Sequence, residues 1–600
     1  MEFKKWTALI LALAMAGCTA ASAPSASDES SSHKSGQNEQ VQESGRKEYT
    51  GSEEDQAFEK YLDEYVRELC SRSYITAHHY FTDYKKEGIT LKDDAYTLGD
   101  FIPTEEDREF TQSVLDELKK INVQDLNETN RDIYEQLNWQ YDLSQRTDKE
   151  EFLYLGSIWS DNSGTQSEIY NFFTEFQLYS EDDIPALIRL ISSTPDYVAK
   201  AIEYTKEQAE RKTLGFDLES VLSYCQDVLD NEKNSPVYTE LDLEVDTLML
   251  DDAKAREYKD QIHEALKASF FPAYQTIIDE LGAMKDQIGP IQGLASYEHG
   301  KEYYDLVLEY STSTDKSADE LFDEVSDAYD DLRERAVTLL NSGFDPNSLD
   351  SVSTGFKSAE EILSFLEENY ANAFPVVDDM QYELKALPPE QSQPGVVAYF
   401  LVPPIDSNKI YQMRYNERDY GQDPSDLNFF NTLAHEGIPG HMYQTQYEKE
   451  HFTSDAQYFL SSMAMQEGYA TYAAEVAQSW LDIDPDLLEG STLNEWMNNY
   501  TILQADIMIN GDGQTVEEFE DIFGEGTAPL YNQLAQDPGT FFSYYYGYYL
   551  ITQKKAEAME ELGSKFNEVD FNQALLKVGN LKFSIISDNI DDYIKEAKAS

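Results

Sequence analysis

Apolar residues recur at helical spacing along most of this chain. The clearest stripe lies between Ser317 and Leu340, where apolar side chains return every three or four residues. Ser317 and Glu320 have the sequence of a capping box at its start, and Gly343 marks its end. Comparable stripes occupy residues 104–145, 185–212, 252–284, 455–480 and 544–562. The pattern therefore predicts a mainly α-helical fold.

Three short runs depart from the helical period. Residues 380–387, 396–402 and 409–415 are rich in Val, Tyr, Ile and Leu, and proline-containing turns separate them. These runs predict a small antiparallel β-sheet beside the segment that carries the strongest chemical signal. An edge strand in that position could hold an extended peptide through main-chain hydrogen bonds.

The N-terminal segment differs from the rest of the chain. Residues 1–17 combine two lysines with an apolar run that is too short to span a bilayer permanently, which predicts a signal peptide. The run ends in Met-Ala-Gly-Cys, which resembles a bacterial lipobox. Cys18 is therefore the predicted lipidation site and the predicted membrane anchor. Plain secretion, with an incidental cysteine at this position, is the alternative.

Composition then divides the remaining chain into two parts. Residues 18–51 are rich in Ser, Glu, Gln and Gly and predict a disordered tether, because they contain too few apolar groups to fold. Residues 52–600 contain no comparable interruption. A unit of this length exceeds the usual size of one core, so we expect a large lobed body with a cleft. Cys70 and Cys225 are too few for a disulfide framework, and their pairing stays open.

The charge balance excludes one class of partner. The 600 residues include 115 acidic and 45 basic residues, which give a formal net charge of −70. Phosphate recognition needs a basic surface, so we expect no nucleic-acid partner. The simplest interpretation is a solvated acidic surface that keeps the protein soluble; a weak preference for cationic ligands is the alternative.

The strongest chemical signal is His-Glu-Gly-Ile-Pro-Gly-His, which begins at His435. It places His435, Glu436 and His441 within seven residues of a chain that contains eight histidines. In a straight helix the six-residue spacing would leave the two rings about 240° apart. Pro439 and Gly440 change this expectation, because a Pro-Gly pair breaks or widens a helix. We therefore predict a deformed helix that turns His441 towards His435 around one metal ion.

A third ligand is expected, because catalytic zinc takes three protein ligands and keeps one position for water. Glu467 is the candidate, since it lies in an apolar helical stretch where a carboxylate needs a partner. A buried carboxylate that pairs with a helix N-terminus or an arginine is the alternative. Glu436 adjoins a ligand but points elsewhere, which is the position of a general base. Glu475, two turns after Glu467, could hold a histidine of the site.

The motif resembles the H-E-x-x-P-G-H signature of a family of bacterial lipoproteins and secreted proteins of unknown function. That family is similar to the largely helical zinc peptidases of the thimet oligopeptidase and carboxypeptidase Taq kind. The resemblance covers most of residues 52–600. It includes a Glu-Gly-Tyr-Ala-x-Tyr element at residues 467–472, in which Tyr469 replaces the tryptophan of the family. The resemblance implies a metallopeptidase-like body.

The resemblance also implies roles for individual residues. His435, His441 and Glu467 would hold one Zn²⁺ ion, and Glu436 would be the general base. Tyr544 would donate a hydrogen bond to the transition state. It lies in a run of aromatic residues, so packing in the core is the alternative for Tyr544.

Two further residues are candidates for substrate binding. Arg414 could take a substrate carboxylate, and a structural ion pair is the alternative. Asn510 stands where the related family usually has a histidine in an Asp-x-Gly-x-His segment. Asparagine can donate a hydrogen bond but cannot become a cation. If this position binds substrate, the specificity has changed or the activity is reduced.

Together these residues predict a membrane-anchored, extracytoplasmic zinc peptidase. The expected substrates, short or unfolded peptides, follow from the resemblance. A cell-wall peptide amidase would use the same ion and base, and it stays open. The alternative from a different class is a catalytically weakened lipoprotein that binds peptides or wall fragments. Intact Glu436 favours the enzyme, whereas Asn510 favours the binding protein.

Overall fold

The computed structural model describes most of the chain from Tyr49 onwards. Its described residues are 49, 51–161, 164–378, 380–386, 398–416 and 423–599, with the backbone alone at 350. The predicted signal peptide at 1–17, the predicted lipidation site Cys18 and nearly all of the predicted tether at 18–51 lie outside them. Among the helices of the described residues, none combines the length and the apolarity needed to span a bilayer.

The first half of the chain is a stack of helices. Buried apolar side chains between residues 74 and 284 form one core cluster, which includes Trp159, Leu190 and Tyr274. A smaller cluster joins the first helices to Leu581 and Ile585 near the C-terminus. The helices are α1 Glu53–Ser71, α2 Tyr74–Tyr80, α3 Glu105–Leu118, α4 Glu128–Thr147, α5 Thr165–Thr174, α6 Asp183–Arg211, α7 Leu218–Asp230, α8 Pro236–Thr247, α9 Asp252–Ala265 and α10 Phe271–Ala283.

The second half has its own large core. Its buried cluster extends over residues 294–594 and also takes in two side chains from residues 152–155. The helices are α11 Gly300–Thr312, α12 Ala318–Asn341, α13 Ala359–Asn369, α14 Leu427–Glu436, α15 His441–His451, α16 Met463–Gln478, α17 Pro485–Asn510, α18 Val516–Phe523, α19 Ala528–Gln536, α20 Gly547–Leu562, α21 Glu568–Leu576 and α22 Phe583–Ala599. A π-helical segment, Phe542–Tyr546, leads directly into α20.

The prediction of a mainly α-helical fold is confirmed, and α12 shows why the local sequence is informative. The Ser317 N–H donates to Oε2 of Glu320 at 2.9 Å, and the Ser317 hydroxyl accepts from the Glu320 N–H. This capping box satisfies two of the backbone donors that a helix start leaves free. After the helix, Gly343 adopts a φ of +103°, a conformation that favours glycine. Both ends of α12 therefore follow from the residues found there.

The three predicted strands form one small sheet. They are β1 Tyr382–Ala386, β2 Ala398–Leu401 and β3 Tyr411–Tyr415, in the spatial order β1-β3-β2. β2 and β3 are antiparallel, as expected, but β1 and β3 are parallel. The sheet is mixed because β3 returns from β2 and lies between the two earlier strands. β2 consequently forms an edge, and no other described strand pairs with its outer side.

Side chains alternate between the two faces of this sheet. Phe400 and Met413 are paired in register and belong to the core of the second half. Tyr399 and Arg414, the next pair, therefore share the opposite face. Since Tyr399 and Arg414 lie within the electrostatic reach of Glu175, this face looks towards the helices of the first half.

Candidate metal centre

A sharp turn separates the two histidines of the motif. α14 ends at Glu436, a four-residue turn with one cis proline peptide follows, and α15 begins at His441. The Gly440 N–H donates to the carbonyl oxygen of Ala434 at 2.9 Å, so the chain folds back on the end of α14. Only glycine fits, because a Cβ on Gly440 would lie 1.8 Å from the carbonyl oxygen of His435. The predicted break between the histidines is present.

The turn brings both imidazole rings to one point. The ring centres of His435 and His441 are 4.7 Å apart, and the rings are nearly perpendicular. Glu467 of α16 places its Oε2 3.4 Å from Nε2 of His435 and 3.3 Å from Nε2 of His441. All three side chains are mostly buried. The ligand atoms of these three residues lie within 4.8 Å of one another, an arrangement suited to a metal ion.

The two nitrogen-to-oxygen separations at Glu467 are compatible with a tetrahedral cation. Zinc binds imidazole nitrogen and carboxylate oxygen at about 2.0–2.2 Å, so two ligand atoms on a tetrahedral ion stand about 3.3 Å apart. The two nitrogen-to-oxygen separations at Glu467 match that value. Two imidazoles and one carboxylate also form the ligand set of zinc sites that keep a fourth position open. His435, His441 and Glu467 could thus hold a metal ion, and its identity as zinc stays a prediction.

The charges of the three groups are strongly coupled. Burial raises the pKa of the Glu467 carboxyl, but charge and hydrogen bonds from His441 and His435 hold this pKa well below its usual range. Burial lowers the pKa of His441, yet Glu467 raises it to about 9. The surroundings of Glu467 therefore favour positive charge. A metal cation would take the place of the imidazolium proton, since imidazole binds metals in its neutral form.

Glu436 lies beside the three candidate ligands without joining them. Its Oε1 is 4.0 Å from Nε2 of His435, and its Oε2 accepts a hydrogen bond of 3.1 Å from the N–H of Phe400. Burial raises the pKa of Glu436, and the neighbouring histidines oppose that shift. Because Phe400 belongs to β2, this carboxylate lies against the free edge of the sheet.

Tyr544 approaches the same centre from the π-helical segment. Its ring is stacked on His435, with 6.0 Å between the ring centres. The ring is partly exposed, unlike its neighbours Tyr545 and Tyr546, which are buried. π-helical turns often occur at functional sites because they re-aim one side chain within a helix. Tyr544 therefore lies near His435, and its role as a donor to the transition state stays a prediction.

A close contact between two helices fixes the position of this tyrosine. Gly547, at the start of α20, packs against Gly468 of α16. A Cβ on Gly547 would lie 2.2 Å from the carbonyl oxygen of Ala464 and 3.0 Å from Cα of Gly468. Gly468 directly follows Glu467. The backbone contact therefore couples the segment that carries Tyr544 to the helix that carries the third candidate ligand.

Tyr469 has a role that sequence reasoning missed. It is fully buried, and its hydroxyl donates to the carbonyl oxygen of Pro439 at 2.9 Å. The bond ties α16 to the turn between the two histidines. Tryptophan, the residue of the related family, also carries one N–H donor on an aromatic ring. A tyrosine in an apolar helix needs a partner for its hydroxyl once it is buried, and this requirement could have indicated the hydrogen bond in advance.

Asn510 is enclosed in the core, and this corrects the expectation that it contacts substrate. Its Oδ1 accepts from the N–H of Leu294 at 3.1 Å. Its Nδ2 donates to Oδ1 of Asp506 at 3.0 Å and to the carbonyl oxygen of Leu534 at 2.9 Å. The side chain is 0% exposed. Its amide therefore stabilises the packing of α17 and is not free for a ligand.

The two remaining candidates also differ from expectation. Glu475 accepts hydrogen bonds from the Tyr548 hydroxyl and from the indole N–H of Trp496, so it does not hold a histidine. Arg414 is 2% exposed and donates to the side-chain oxygen of Gln412 at 2.6 Å. Among the described residues Arg414 forms no ion pair, and its Nε is buried without a partner. The structural alternative for Arg414, an ion pair, is not observed there.

The sequence of this chain matches a known protein family. Residues 86–590 match a family described as "Bacterial protein of unknown function (DUF885)". The chain belongs to this family. The DUF885 description names no activity, so the likeness of the motif to zinc peptidases stays a prediction. No curated protein matches the sequence of this DUF885 member.

Two solved structures share the fold of this DUF885 chain. A protein named as a lipoprotein from Colwellia psychrerythraea gives a TM-score of 0.73 at 16% identity, over 90% of this chain and 99% of that one. A protein named as a lipoprotein of unknown function from Shewanella oneidensis gives a TM-score of 0.59 at 16% identity, over 88% and 99%. Identities this low show that the fold is shared, and no more.

Proposed function

We propose that this DUF885 protein is a zinc-dependent peptidase that hydrolyses short or unfolded peptides outside the cytoplasm. One observation carries the proposal. His435, His441 and Glu467 bring their ligand atoms within 4.8 Å of one another, with both nitrogen-to-oxygen separations suited to a tetrahedral ion, while Glu436 lies beside them with a separate hydrogen bond of its own. Three ligands and one adjacent base are the minimum set for hydrolysis by a metal-activated water.

Glu436 is the proposed general base. A bound zinc ion would supply a water of pKa about 7 and polarise the carbonyl group of the substrate. Glu436 accepts the proton of the attacking water and then passes it to the leaving amine. Its raised pKa suits a group that must both bind and release a proton. The hydrogen bond from Phe400 holds the carboxylate in one orientation throughout.

The edge of β2 supports a peptide as the substrate. The Phe400 N–H points away from β3 and towards Glu436, so main-chain groups of Ala398 and Phe400 face outwards. Glu436 takes the Phe400 N–H, so an extended peptide would pair with the remaining outward main-chain groups of β2. A substrate bound in this way would carry its backbone past Glu436. Tyr544 would donate to the oxygen on which negative charge develops.

We also propose that Cys18 anchors the protein to the outer face of the cell membrane. The lipobox-like sequence at residues 15–18 supports the anchor, as do the names of the two structural neighbours. A lipoprotein carries more than one acyl chain, which is sufficient for stable attachment. Mass spectrometry of the N-terminal peptide should show a lipid adduct on Cys18. Cys18→Ala should move the protein from the membrane fraction to the soluble fraction or leave it unprocessed, and an N-terminus elsewhere would contradict the anchor.

The alternative of a weakened binding protein loses its main argument. That alternative depended on Asn510 as a substrate contact, and the amide of Asn510 is used within the core. A cell-wall peptide amidase would use the same residues, and no feature of the described residues favours it over a peptidase. Wall peptides therefore belong in the substrate panel.

The direct test uses the protein without residues 1–50. We expect about one zinc per chain by elemental analysis, and cleavage of a peptide library that a chelator prevents. Glu436→Gln should retain zinc and abolish cleavage, because an amide cannot accept the proton. Protein that binds no zinc would contradict the metal centre. Zinc-loaded protein that cuts neither peptides nor wall fragments would instead support the binding alternative.

A further inference from the structure

Three buried polar atoms without partners belong to the sheet that adjoins the proposed centre or to side chains within its electrostatic reach. They are Nε of Arg414, the hydroxyl oxygen of Tyr399 and Oε1 of Glu175. Arg414 and Tyr399 face each other across β3 and β2, and Glu175 directly follows α5. The strand register makes Arg414 and Tyr399 neighbours, and Glu175 lies within the electrostatic reach of both. Native proteins leave few buried polar atoms unpaired, and such a group is a candidate binding site.

The charge of this group indicates what it would bind. Arg414 carries a positive charge and forms no ion pair among the described residues, although Glu175 and Glu244 lie within its electrostatic reach. Burial raises the pKa of Glu175 well above its usual range, and Arg414 only partly opposes the shift. A neutral carboxyl, a phenol and a guanidinium all donate hydrogen bonds. The terminal nitrogens of Arg414 already donate to Met413 and Gln412, so its unpartnered Nε and the Tyr399 hydroxyl are the donors left for an anion such as a carboxylate.

The position of the group relates it to the reaction. Tyr399 precedes Phe400, whose N–H binds Glu436. From the length of a tyrosine side chain, the phenol lies at most about 12 Å from the Glu436 carboxylate, a distance that about four extended residues cover. A peptide along the edge of β2 could therefore reach the Arg414 group with its last residues.

We propose that Arg414, Tyr399 and Glu175 bind the free C-terminal carboxylate of a peptide substrate. This inference rests on the proposed peptidase function and specifies its substrate class. The enzyme would then release C-terminal fragments of up to about four residues. An Asp or Glu side chain carries the same chemical group as the C-terminus, so the test must separate these two sources.

The experiment measures binding without turnover. Zinc-loaded, full-length Glu436→Gln protein is titrated calorimetrically with three peptides. Two share one sequence and end in a free carboxylate or in an amide. The third is the same amide peptide with Glu as its last residue. The free acid should bind about 10- to 100-fold more tightly than the amide, the range expected for a hydrogen bond to a charged group. Tyr399→Phe in the same background should reduce binding of the free acid about tenfold and leave binding of the amide unchanged.

The control is Tyr61→Phe, which removes another buried hydroxyl without a partner, in the packing of the first helices. It should leave the preference for the acid unchanged, and thermal melting should show that both variants remain folded. Equal affinity for acid and amide would overturn the proposal, as would an unchanged ratio in Tyr399→Phe. Tight binding of the Glu-terminated amide would show that the group binds an acidic side chain of the peptide and not its C-terminus.

The test of carboxylate binding by the Arg414 group is independent of the test of peptide cleavage. If the free acid binds selectively but zinc-loaded parent protein cuts nothing, the role of the Arg414 group in carboxylate binding is supported and the peptidase proposal fails. If the parent protein cuts free-acid and amide peptides equally well, the peptidase proposal is supported, but carboxylate binding by the Arg414 group is not. Mass spectrometry of the products adds a second readout, because fragments much longer than four residues would also contradict the proposal.

Discussion

Two buried acidic groups in the second half of the chain have opposite surroundings. Glu467 faces two imidazoles, and although burial raises the pKa of its carboxyl, their charge holds this pKa well below its usual range. Asp506 accepts hydrogen bonds from Tyr304, Asn510 and Gly539, at 2.6, 3.0 and 2.9 Å. These donors are neutral, so burial prevails and raises the pKa of Asp506 to about 6.

The difference distinguishes a candidate site from a support for the fold. Both oxygens of Asp506 have a neutral donor, and the cluster around it is complete without a ligand. Glu467 and the two histidines instead direct their ligand atoms at one another, which requires a proton or a cation between them. Burial alone therefore does not identify a functional carboxylate, whereas the chemical type of its partners does.

Removal of the carboxylate charge at Glu467 should have the largest effect. Glu467→Gln should reduce zinc affinity and peptide cleavage by more than about a hundredfold, since even residues behind the ligands of metal sites contribute 10- to 100-fold. Elemental analysis after dialysis and peptide cleavage are the measurements. Glu475→Gln is the matched control, because it makes the same change two turns later on α16. Full zinc occupancy in Glu467→Gln would show that the three atoms do not form a metal centre.

A smaller loss of activity is expected when the metal centre is intact but its aromatic neighbour changes. Tyr544→Phe should lower kcat by about a hundredfold, as the loss of one donor to a developing oxyanion does, and should leave zinc content unchanged. Steady-state kinetics with one peptide are sufficient. Tyr61→Phe, a distant hydroxyl deletion, should be neutral for activity. If Tyr544→Phe retains full kcat, aromatic packing is the better interpretation of Tyr544.

The smallest expected effect is a pH dependence of stability, and it arises from Asp506, whose hydrogen bonds are complete without a ligand. The pKa of Asp506 is about 6 in the folded protein and about 3.9 in an unfolded chain, so the folded state binds this proton more tightly. The corresponding stability is fully present below pH 3.9 and is lost as pH rises through 6, in total about 3 kcal/mol. Asp506→Asn cannot titrate.

Urea unfolding at several pH values should show this difference between the parent protein and Asp506→Asn. The gap between their free energies of unfolding should change by about 2.4 kcal/mol between pH 4 and pH 8, mostly between pH 4 and pH 6. Zinc content should be the same in both proteins. Parallel pH profiles would show that Asp506 is ionised in the fold, and the contrast with Glu467 would then disappear.

The sequence predicts local features of the fold and the site better than long-range ones. The capping box at Ser317 and the break at Gly440 depend on neighbouring residues, so both can be inferred from a short window. Glu467 was identifiable because a lone carboxylate in an apolar helix needs a partner. That these residues bind a metal remains a prediction.

Other features depend on residues far apart in the chain. The parallel pairing of β1 with β3 follows from strand order, which no strand pattern specifies. Asn510 is held by Leu294 and Leu534, 216 and 24 residues away, so its enclosure could not be inferred from its own segment. The proximity of Glu175 to Arg414 likewise arises from the packing of the two halves of the chain.

The hydrogen bond between Phe400 and Glu436 has a consequence for solubility. An edge strand with free main-chain groups can recruit strands from other molecules and so promote aggregation. A charged side chain directed at the edge opposes such recruitment, because a foreign strand would have to displace a buried carboxylate from its donor. The contact that would orient the base during hydrolysis thus also weakens the pairing of a continuous strand from another copy, while the remaining outward main-chain groups of β2 would still serve a short substrate.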